Sequence, residues 1–277
     1  MRKCFKRGNI PSSVFNTLLE QFNEHNFIPR VVVFYHGGEP LRNKELPAMI
    51  SVFKNLGVKK TVITTNTSLL NKEVALQLQD AGLDELKVSY DGCSPEENNE
   101  IRKNANFEIN SKNLISFLEN NNHTNVIISN VQICTKNEID NFCNGIPLQV
   151  PDYLYNRFSS YDKVSFTTFP AMIWPGLKNL ELFDIYIYIQ KEFPKACPTF
   201  NETITILSTG EVVPCCYDIT GETILGNILE EDIFSIRNNK QSHYFYDALS
   251  KGVLKTYPQL CQKCLLITKK YLIKKDS

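Results

Sequence analysis

The strongest constraint on the fold of this chain is a repeated alternation between short apolar runs and longer stretches with helical spacing. The runs are rich in β-branched residues and lie at residues 31–35, 61–65, 86–90, 126–133 and 164–169. After the first run, Leu46, Met49, Ile50 and Phe53 lie on one face of a helix that Gly57 can end. Strands that alternate with helices form parallel βα units, so the sequence predicts an α/β fold with a parallel sheet.

A helical pattern also precedes the first run. Val14, Leu18, Leu19 and Phe22 have helical spacing, and no apolar run stands in front of them. Because each helix of a βα unit follows a strand, we expect this chain to lack the leading strand of its sheet.

The pattern changes beyond residue 180. Residues 182–193 and 232–250 are predicted to form helices, whereas residues 203–207 and 212–213 flank a Ser-Thr-Gly-Glu turn that is typical of a β-hairpin. A cysteine-bearing tail follows the second helix. We therefore predict a large domain at residues 1–180 and a small one at residues 181–277.

Composition and charge narrow the functional classes. The chain has 277 residues, of which 42% are hydrophobic, and its 30 basic residues balance 30 acidic residues. This balance favours neither a nucleic-acid backbone nor an anionic membrane surface as a partner. No apolar run approaches the roughly 18 residues of a membrane span, and no signal-peptide pattern follows Met1. We expect a cytoplasmic protein that binds a small molecule and has no nucleic-acid or membrane partner.

Nine cysteines stand out against this ordinary composition. An odd number in a cytoplasmic chain argues against a disulfide framework. Five lie in the last third of the chain: Cys197, Cys215, Cys216, Cys261 and Cys264. The hairpin returns Cys215 toward Cys197, and the short Cys-x-x-Cys loop lets two thiolates reach one centre, so four sulfur ligands suit zinc or an iron-sulfur cluster. Buried cysteines without a metal are the alternative.

Cys215 and Cys216 compete for one position in this predicted site. Side chains of adjacent strand residues point to opposite faces, so both cannot easily face one centre. We assign Cys215 as the ligand and Cys216 as a thiol that is buried or lies beside the site.

A second candidate site lies at the end of the first apolar run. Gly37, Gly38, Glu39 and Pro40 follow that run directly. Ligands of parallel α/β proteins bind at the carboxyl ends of strands, and paired glycines let backbone carbonyls approach a ligand. Glu39 can then accept a hydrogen bond from an ammonium group. A plain strand-to-helix turn is the alternative.

Polar residues also follow the next two runs. Thr65 and Asn66 end the second run, and Ser89 and Asp91 end the third. Each pair alone is ordinary turn chemistry. Because the ends of neighbouring parallel strands meet at one edge of the sheet, together they predict a shared ligand pocket.

Five motifs occur in an order that is specific to one enzyme family. They are His-Gly-Gly-Glu-Pro at 36–40, Thr-Asn at 65–66, Val-Ser-Tyr-Asp-Gly at 88–92, Ile-Arg at 101–102 with Asn-Phe-Glu at 106–108, and Gly-Glu-Val-Val-Pro-Cys-Cys at 210–216 with Leu-Gly-Asn-Ile at 225–228. In this order the chain resembles radical S-adenosylmethionine (SAM) enzymes with a C-terminal SPASM or twitch auxiliary-cluster domain. The resemblance covers about residue 10 to 265.

The resemblance implies a partial (βα)6 barrel without its first strand, followed by a small cluster-binding domain of β-hairpin and helices. It implies that the methionyl amino group of SAM is held by Gly37, Gly38, Glu39 and Pro40, and that Asn66, Ser89 and Asp91 line the same pocket. It further implies that an auxiliary 4Fe-4S cluster is bound by Cys197, Cys215, Cys261 and Cys264.

Two features depart from the family. Its Cys-x-x-x-Cys-x-x-Cys motif, which holds the second, SAM-binding 4Fe-4S cluster, is absent, and only Cys4 precedes the Gly-Gly-Glu-Pro segment. The missing cysteines coincide with the missing strand, so we expect Met1 to be an internal methionine and roughly 30 residues to be absent. The second departure is Thr67, which stands where the family usually has glycine.

The function implied for the complete protein is reductive cleavage of SAM and hydrogen abstraction from a peptide or a small polar metabolite, with an electron donor such as flavodoxin or ferredoxin. The single-cluster tail favours a dehydrogenase of the aminocyclitol type. A catalytically inactive, truncated or degenerate protein that binds an iron-sulfur cluster or zinc is the alternative. A third hypothesis is an α/β protein with a zinc-ribbon tail.

Overall fold

A computed structural model describes residues 8–173, 183–189, 194–264 and 268–274. The chain forms two compact units. The sheet unit comprises residues 28–171 with short pieces of the later chain, and the cysteine unit comprises the residues before 28 and most of those after 185. The domain boundary between residues 180 and 181 stays a prediction.

The sheet unit contains one parallel sheet whose strands follow the chain order. The strands are β1 (Val31–Val33), β2 (Lys60–Thr65), β3 (Glu85–Asp91), β4 (Asn125–Gln132) and β5 (Val164–Pro170). The helices up to β5 are α1 (Ser12–Glu24), which belongs to the cysteine unit, α2 (Leu46–Asn55), α3 (Lys72–Asp80), α4 (Pro95–Ile101), α5 (Phe107–Glu119), α6 (Lys136–Cys143) and α7 (Asp152–Phe158), with a short 3-10 helix at Pro40–Arg42. The predicted α/β class and all five predicted strands are confirmed.

Alternation along the strands gives the sheet two different faces. In β3, Leu86 and Val88 are fully buried and belong to the same hydrophobic core as Leu114 and Phe117 of α5. Ser89 points to the opposite face, as a period of two residues requires, and it is only partly buried. The helices therefore cover one face, and the other face carries the polar side chains.

One carboxylate ties the start of β3 to the start of β2. Asp84 accepts hydrogen bonds from Thr61 N at 2.7 Å, from Lys54 Nζ at 2.9 Å and from Thr61 Oγ1 at 3.0 Å. Burial would raise the pKa of Asp84, but the bonds from Lys54 and Thr61 outweigh it and hold the pKa below its usual value. The bonds therefore stabilise the folded chain above the pKa of the unfolded carboxyl, and this stability is lost as the pH falls toward the lower folded value.

We expect Asp84→Asn to lower the free energy of unfolding by about 1 kcal/mol at neutral pH, because the bond to Lys54 loses its charge. The difference from the wild type should shrink as the pH falls from about 5 to about 3. Urea denaturation across this range measures both effects. Asp80→Asn, which changes an exposed carboxylate nearby, serves as the control. A deficit for Asp84→Asn that stayed constant down to the lowest pH would contradict the assignment.

In the cysteine unit, α1 is held by the backbone of a distant segment. Its apolar face, with Val14, Leu18 and Phe22, is buried. The Gln21 side chain accepts a hydrogen bond from Ile233 N at 3.0 Å and donates one to the carbonyl oxygen of Ile228 at 2.9 Å. The predicted helix before the first strand is thus confirmed, and it packs with the C-terminal part of the chain.

The remaining elements of the described chain are short. They are β6 (Phe183–Ile189), α8 (Pro198–Glu202), β7 (Thr205–Ile206), β8 (Glu211–Val213), β9 (Gly226–Asn227), α9 (Ile233–Arg237), α10 (Lys240–Ser250), α11 (Gln259–Gln262) and β10 (Thr268–Lys274), with a 3-10 helix at Leu254–Thr256. The antiparallel pair of β7 and β8 confirms the predicted hairpin, and β9 adds a third strand to it. No helix in the described residues is long and apolar enough to cross a membrane.

Two predicted helices are corrected. The helix predicted at residues 182–193 is wrong for its described part, because residues 183–189 form strand β6, which pairs with β10. Their sequence alternates aromatic and isoleucine residues, which favours a strand. The single helix predicted at residues 232–250 is divided into α9 and α10. Asn239 interrupts it, because its side chain accepts a hydrogen bond from Ser242 N at 3.0 Å and caps the second helix.

Candidate functional site

The carboxyl ends of β1 and β2 are joined by a single carboxylate. Glu39 accepts hydrogen bonds from Thr65 Oγ1 at 2.8 Å, from Asn66 N at 3.0 Å and from Leu41 N at 3.1 Å. The loop after β1 is thereby fixed to the end of β2. The two segments that the sequence placed at one edge of the sheet do lie together, through a set of bonds that the sequence pattern does not reveal.

The two glycines before Glu39 expose their backbone. Gly37 has a φ of 72°, in the left-handed region that favours glycine. A Cβ atom built on Gly38 would meet no atom within 4 Å, so open space adjoins this loop. The loop can therefore present its carbonyl groups to a ligand.

Asn66 offers hydrogen-bond donors at the same edge. Its side-chain oxygen accepts a hydrogen bond from Ser68 N at 2.9 Å, so the side-chain NH2 group is the part suited to a ligand. The next residue, Thr67, is fully buried and has a φ of 63°.

Ser89 belongs to a row of hydroxyl groups on the face without helices. It is in register with Ser129 of β4, which is in register with Thr167 of β5. The hydroxyl oxygens of Ser129 and Thr167 lie 3.1 Å apart and share a hydrogen bond. This face can accordingly bind a polar group.

Asp91 forms an ion pair with Arg102, a contact that the sequence did not identify. Arg102, at the end of α4, donates a hydrogen bond from an NH2 group to one carboxylate oxygen at 3.2 Å. Its Nε lies 2.8 Å from the other oxygen, without the direction of a hydrogen bond, so the pair is a salt bridge with one hydrogen bond. The Ile-Arg motif at residues 101–102 was the signal in the sequence, but it did not show that Arg102 contacts Asp91.

An ion cluster lies on the same face near the start of the strands. The buried carboxylate of Glu85 lies 2.6 Å from Lys60 Nζ and 3.6 Å from Lys87 Nζ. Two lysines share one carboxylate, so the cluster carries a net positive charge.

The structure brings the four predicted sulfur ligands together in the cysteine unit. Cys197, Cys215, Cys261 and Cys264 line one small cavity. Its other walls are mainly apolar and include Phe200, Pro214, Phe245 and Leu260. Cys215 is buried, whereas Cys216 is exposed and is not part of the lining. Among the described residues, no three His, Cys, Asp or Glu side chains have the spacing to hold a single metal ion.

Burial dominates the electrostatics of these thiols. Burial, together with the nearby thiols, raises the pKa of Cys215 and of Cys261 to about 12. Such thiols stay protonated at neutral pH unless a positive charge compensates for their burial. Bound iron supplies that charge, since a coordinated thiol loses its proton. The donor type and the dry surroundings are therefore suited to a cluster.

Side chains that the sequence did not single out fix the loops that carry the cysteines. Buried Asp218 accepts hydrogen bonds from Thr223 N at 2.8 Å and from Glu222 N at 2.9 Å, while its own amide bonds to the carbonyl oxygen of Cys215 at 3.1 Å. Arg237 lies over the ring of Phe200 in α8, the helix that begins directly after Cys197.

Two family models match the chain. The model of the radical SAM superfamily matches residues 5–146, which is more than half of the chain. The chain belongs to the radical SAM superfamily. The SPASM model, described as an iron-sulfur cluster-binding domain, matches residues 197–265 and includes all four cysteines of the cavity. The predicted family, and the cofactors that it implies, SAM and iron-sulfur clusters, are thereby confirmed.

Relatives with an assigned activity match shorter stretches of the chain. A probable GTP 3′,8-cyclase of Methanococcus maripaludis is 41% identical over 83 residues, which cover 30% of this chain and 28% of that protein. An Fe-coproporphyrin III synthase of Methanosarcina barkeri is 38% identical over 61 residues, 22% of this chain and 15% of that protein. The chain thus spans less than a third of the length of these two relatives.

Solved structures resemble the chain over nearly its whole length. The anSMEcpe structure with bound AdoMet and Cp18Cys peptide has a TM-score of 0.59 at 18% identity, and the match covers 95% of this chain and 81% of that one. BtrN in complex with AdoMet and 2-DOIA has a TM-score of 0.57 at 16% identity, with 94% and 81% covered. At such identities the likeness concerns the fold, and it confirms the predicted radical SAM type of α/β fold with a small C-terminal domain.

Proposed function

We propose that this chain is part of a radical SAM oxidoreductase that binds SAM at the carboxyl edge of the β1–β5 sheet and an auxiliary 4Fe-4S cluster in the cysteine unit. SAM and a reduced 4Fe-4S cluster supply the reductive cleavage and the hydrogen abstraction, and the protein supplies binding, orientation and exclusion of water. The observation that carries the proposal is the junction of β1 and β2, where Glu39 fixes the Gly37–Gly38 loop beside Asn66.

Each group at this junction has a distinct role toward SAM. The carbonyl groups of Gly37 and Gly38 accept hydrogen bonds from its ammonium group. Three of the roughly four acceptor positions of the Glu39 carboxylate are used within the chain, so Glu39 mainly braces the loop and has room for one further donor. Asn66 donates from its NH2 group to an oxygen of SAM.

The β3 residues complete the pocket. Ser89 offers its hydroxyl group from the open face of the sheet. Asp91 is neutralised by Arg102, so it holds the loop after β3 in place. Pro40 begins the 3-10 helix behind Glu39 and sets the direction of the chain there.

The cysteines of the sheet unit do not have the spacing that a SAM-binding cluster requires. The cysteines within residues 8–173 are Cys93, Cys134 and Cys143, and their spacing is not that of Cys-x-x-x-Cys-x-x-Cys. Cys4 lies outside the described residues. The described residues therefore do not provide the three-cysteine motif of the SAM-binding cluster.

Cys197, Cys215, Cys261 and Cys264 would bind the auxiliary cluster. Their shared cavity and its apolar walls support this assignment. When bound by these four cysteines, the cluster would supply one-electron redox chemistry. Flavodoxin or ferredoxin would reduce the protein in a cytoplasmic setting.

The polar face of the sheet favours a polar substrate. The hydroxyl row of Ser89, Ser129 and Thr167 can hydrogen-bond to hydroxyl or amide groups. Lys87, on the same face, adds positive charge. Both a peptide and a small polar metabolite fit these groups.

The experiment that tests the proposal is anaerobic equilibrium dialysis of the reconstituted chain against labelled SAM. We expect saturable SAM binding. If the chain bound no SAM, the alternative of a catalytically inactive iron-sulfur or zinc protein would be supported.

A further inference from the structure

Thr67 adopts a backbone conformation that its side chain disfavours. Its φ is 63°, and it is fully buried. A β-branched residue in the left-handed region is a true outlier, because its side chain crowds the backbone there. Glycine would take the same conformation without strain. Strained residues of this kind persist where the surrounding structure holds them, and they concentrate at functional sites.

The surrounding structure holds Thr67 through its hydroxyl group and its backbone. The hydroxyl oxygen lies 2.7 Å from the carbonyl oxygen of Asn66 and 3.0 Å from that of Asn110 in α5, and its one proton is shared between these two acceptors. The backbone carbonyl of Thr67 accepts a hydrogen bond from Asn113 Nδ2 at 2.9 Å. Both partners belong to α5, so Thr67 fastens the loop after β2 to the core of the sheet unit.

The same residue is bonded to the group that holds Glu39. Thr67 N donates to Thr65 Oγ1 at 3.0 Å, and that hydroxyl donates in turn to Glu39 at 2.8 Å. Asn66 lies between the two threonines, and its backbone amide donates to the other Glu39 oxygen at 3.0 Å. A chain of hydrogen bonds therefore runs from α5 through Thr67 to the carboxylate that joins β1 and β2.

We propose that Thr67 is a positioning residue for SAM: its hydroxyl bond to α5 holds Asn66 and Glu39 in the geometry that binds the cofactor. The inference rests on the proposed function. A glycine at this position would remove the backbone strain, but it would also release the bond to Asn110 and make the loop more mobile. The strain at Thr67 is thus offset by a better ordered binding loop.

Three substitutions separate this role from a structural one. Thr67→Ser keeps the hydroxyl group, Thr67→Gly removes both the hydroxyl group and the strain, and Thr67→Val keeps the branched shape without the hydroxyl group. Thr124→Val is the matched control, because Thr124 is also fully buried and donates to a backbone carbonyl, that of Leu83, at 2.8 Å. Thr124 precedes β4, at the end of the strands away from the junction.

The measurements are the dissociation constant for SAM by equilibrium dialysis, the exchange rate of the Asn66 amide proton and the melting temperature of the full chain. Thr67→Gly is expected to weaken SAM binding about tenfold and to speed exchange at Asn66 while the melting temperature stays level or rises. Thr67→Val should weaken binding to a similar degree, and Thr67→Ser should stay within about twofold. Thr124→Val should lower the melting temperature without changing SAM affinity.

Two failures are distinguishable. If the wild-type chain does not bind SAM, the proposed function is lost. If the wild type binds SAM and Thr67→Gly and Thr67→Val bind it equally well, Thr67 is a structural residue and the positioning role is overturned. Equal weakening by Thr124→Val would overturn it as well, because loss of any buried hydroxyl bond would then suffice.

Discussion

Cys215→Ser is expected to abolish iron binding by the cysteine unit, whereas Cys216→Ser is expected to keep it. Cys215 is buried and lines the cavity with three other cysteines, while its neighbour Cys216 is exposed. A 4Fe-4S cluster with four cysteine ligands loses most of its stability when one thiolate is removed, and serine is a poor substitute for a soft sulfur ligand. The two variants differ by one position in the chain, so they share expression, reconstitution and handling.

The measurement is the iron and sulfide content after anaerobic reconstitution of the full chain. We expect about four irons per chain for the wild type and for Cys216→Ser, and less than about one for Cys215→Ser. About eight irons in the wild type would show that a second cluster also forms in this chain. Equal iron in the two variants would overturn the choice of Cys215, and bound zinc without sulfide would favour the zinc-ribbon hypothesis.

The sequence predicted the strands of the sheet well because their signal is local. Residues 86–90 alternate apolar and polar side chains, and residues 164–169 are rich in aromatic and β-branched residues, both of which are local signals of a strand. Residues 183–189 show the limit of this signal. Their tyrosines and isoleucines fit a helical or a strand pattern over so short a window, and pairing with β10 decides for the strand.

The candidate sites were predictable as lists of residues but not as networks. Gly37, Gly38 and Glu39 stand out as a motif, yet the bond from Thr65 to Glu39 joins residues 26 positions apart and leaves no local pattern. The pairing of Arg102 with Asp91 depends in the same way on where α4 ends. Tertiary packing fixes such bonds, so a single sequence cannot specify them.

Thr67 is a residue that the sequence marked as unusual, although its contacts were not predictable. The sequence marked it as a departure from the family, and the structure supplies the reason why glycine is usual there, since its φ is positive. What the sequence did not contain is the compensation, which comes from the backbone of Asn110, 43 residues away. The structural role of a residue that departs from a family motif therefore becomes clear only once the hydrogen-bond partners of that residue are known.

Glu39→Gln is expected to weaken SAM binding by at least about tenfold and to lower the free energy of unfolding by about 1–3 kcal/mol, because hydrogen bonds to a charged group are lost. Glu39 accepts three hydrogen bonds, from Leu41, Thr65 and Asn66, on its two oxygens. Glutamine replaces one oxygen with an NH2 group, which then faces a donor instead of accepting from it. The loop that carries Gly37 and Gly38 would lose its fixed attachment to β2.

Asp84→Asn is the matched control for this variant. Asp84 also accepts from a backbone amide and a threonine hydroxyl of β2, but at the opposite end of the strand. Both variants should lower stability in urea denaturation, and only Glu39→Gln should weaken SAM binding in equilibrium dialysis. If Glu39→Gln lost stability but bound SAM like the wild type, Glu39 would brace the sheet without shaping the SAM pocket. The difference between these two carboxylates therefore measures how much of the Glu39 network serves binding and how much serves the fold.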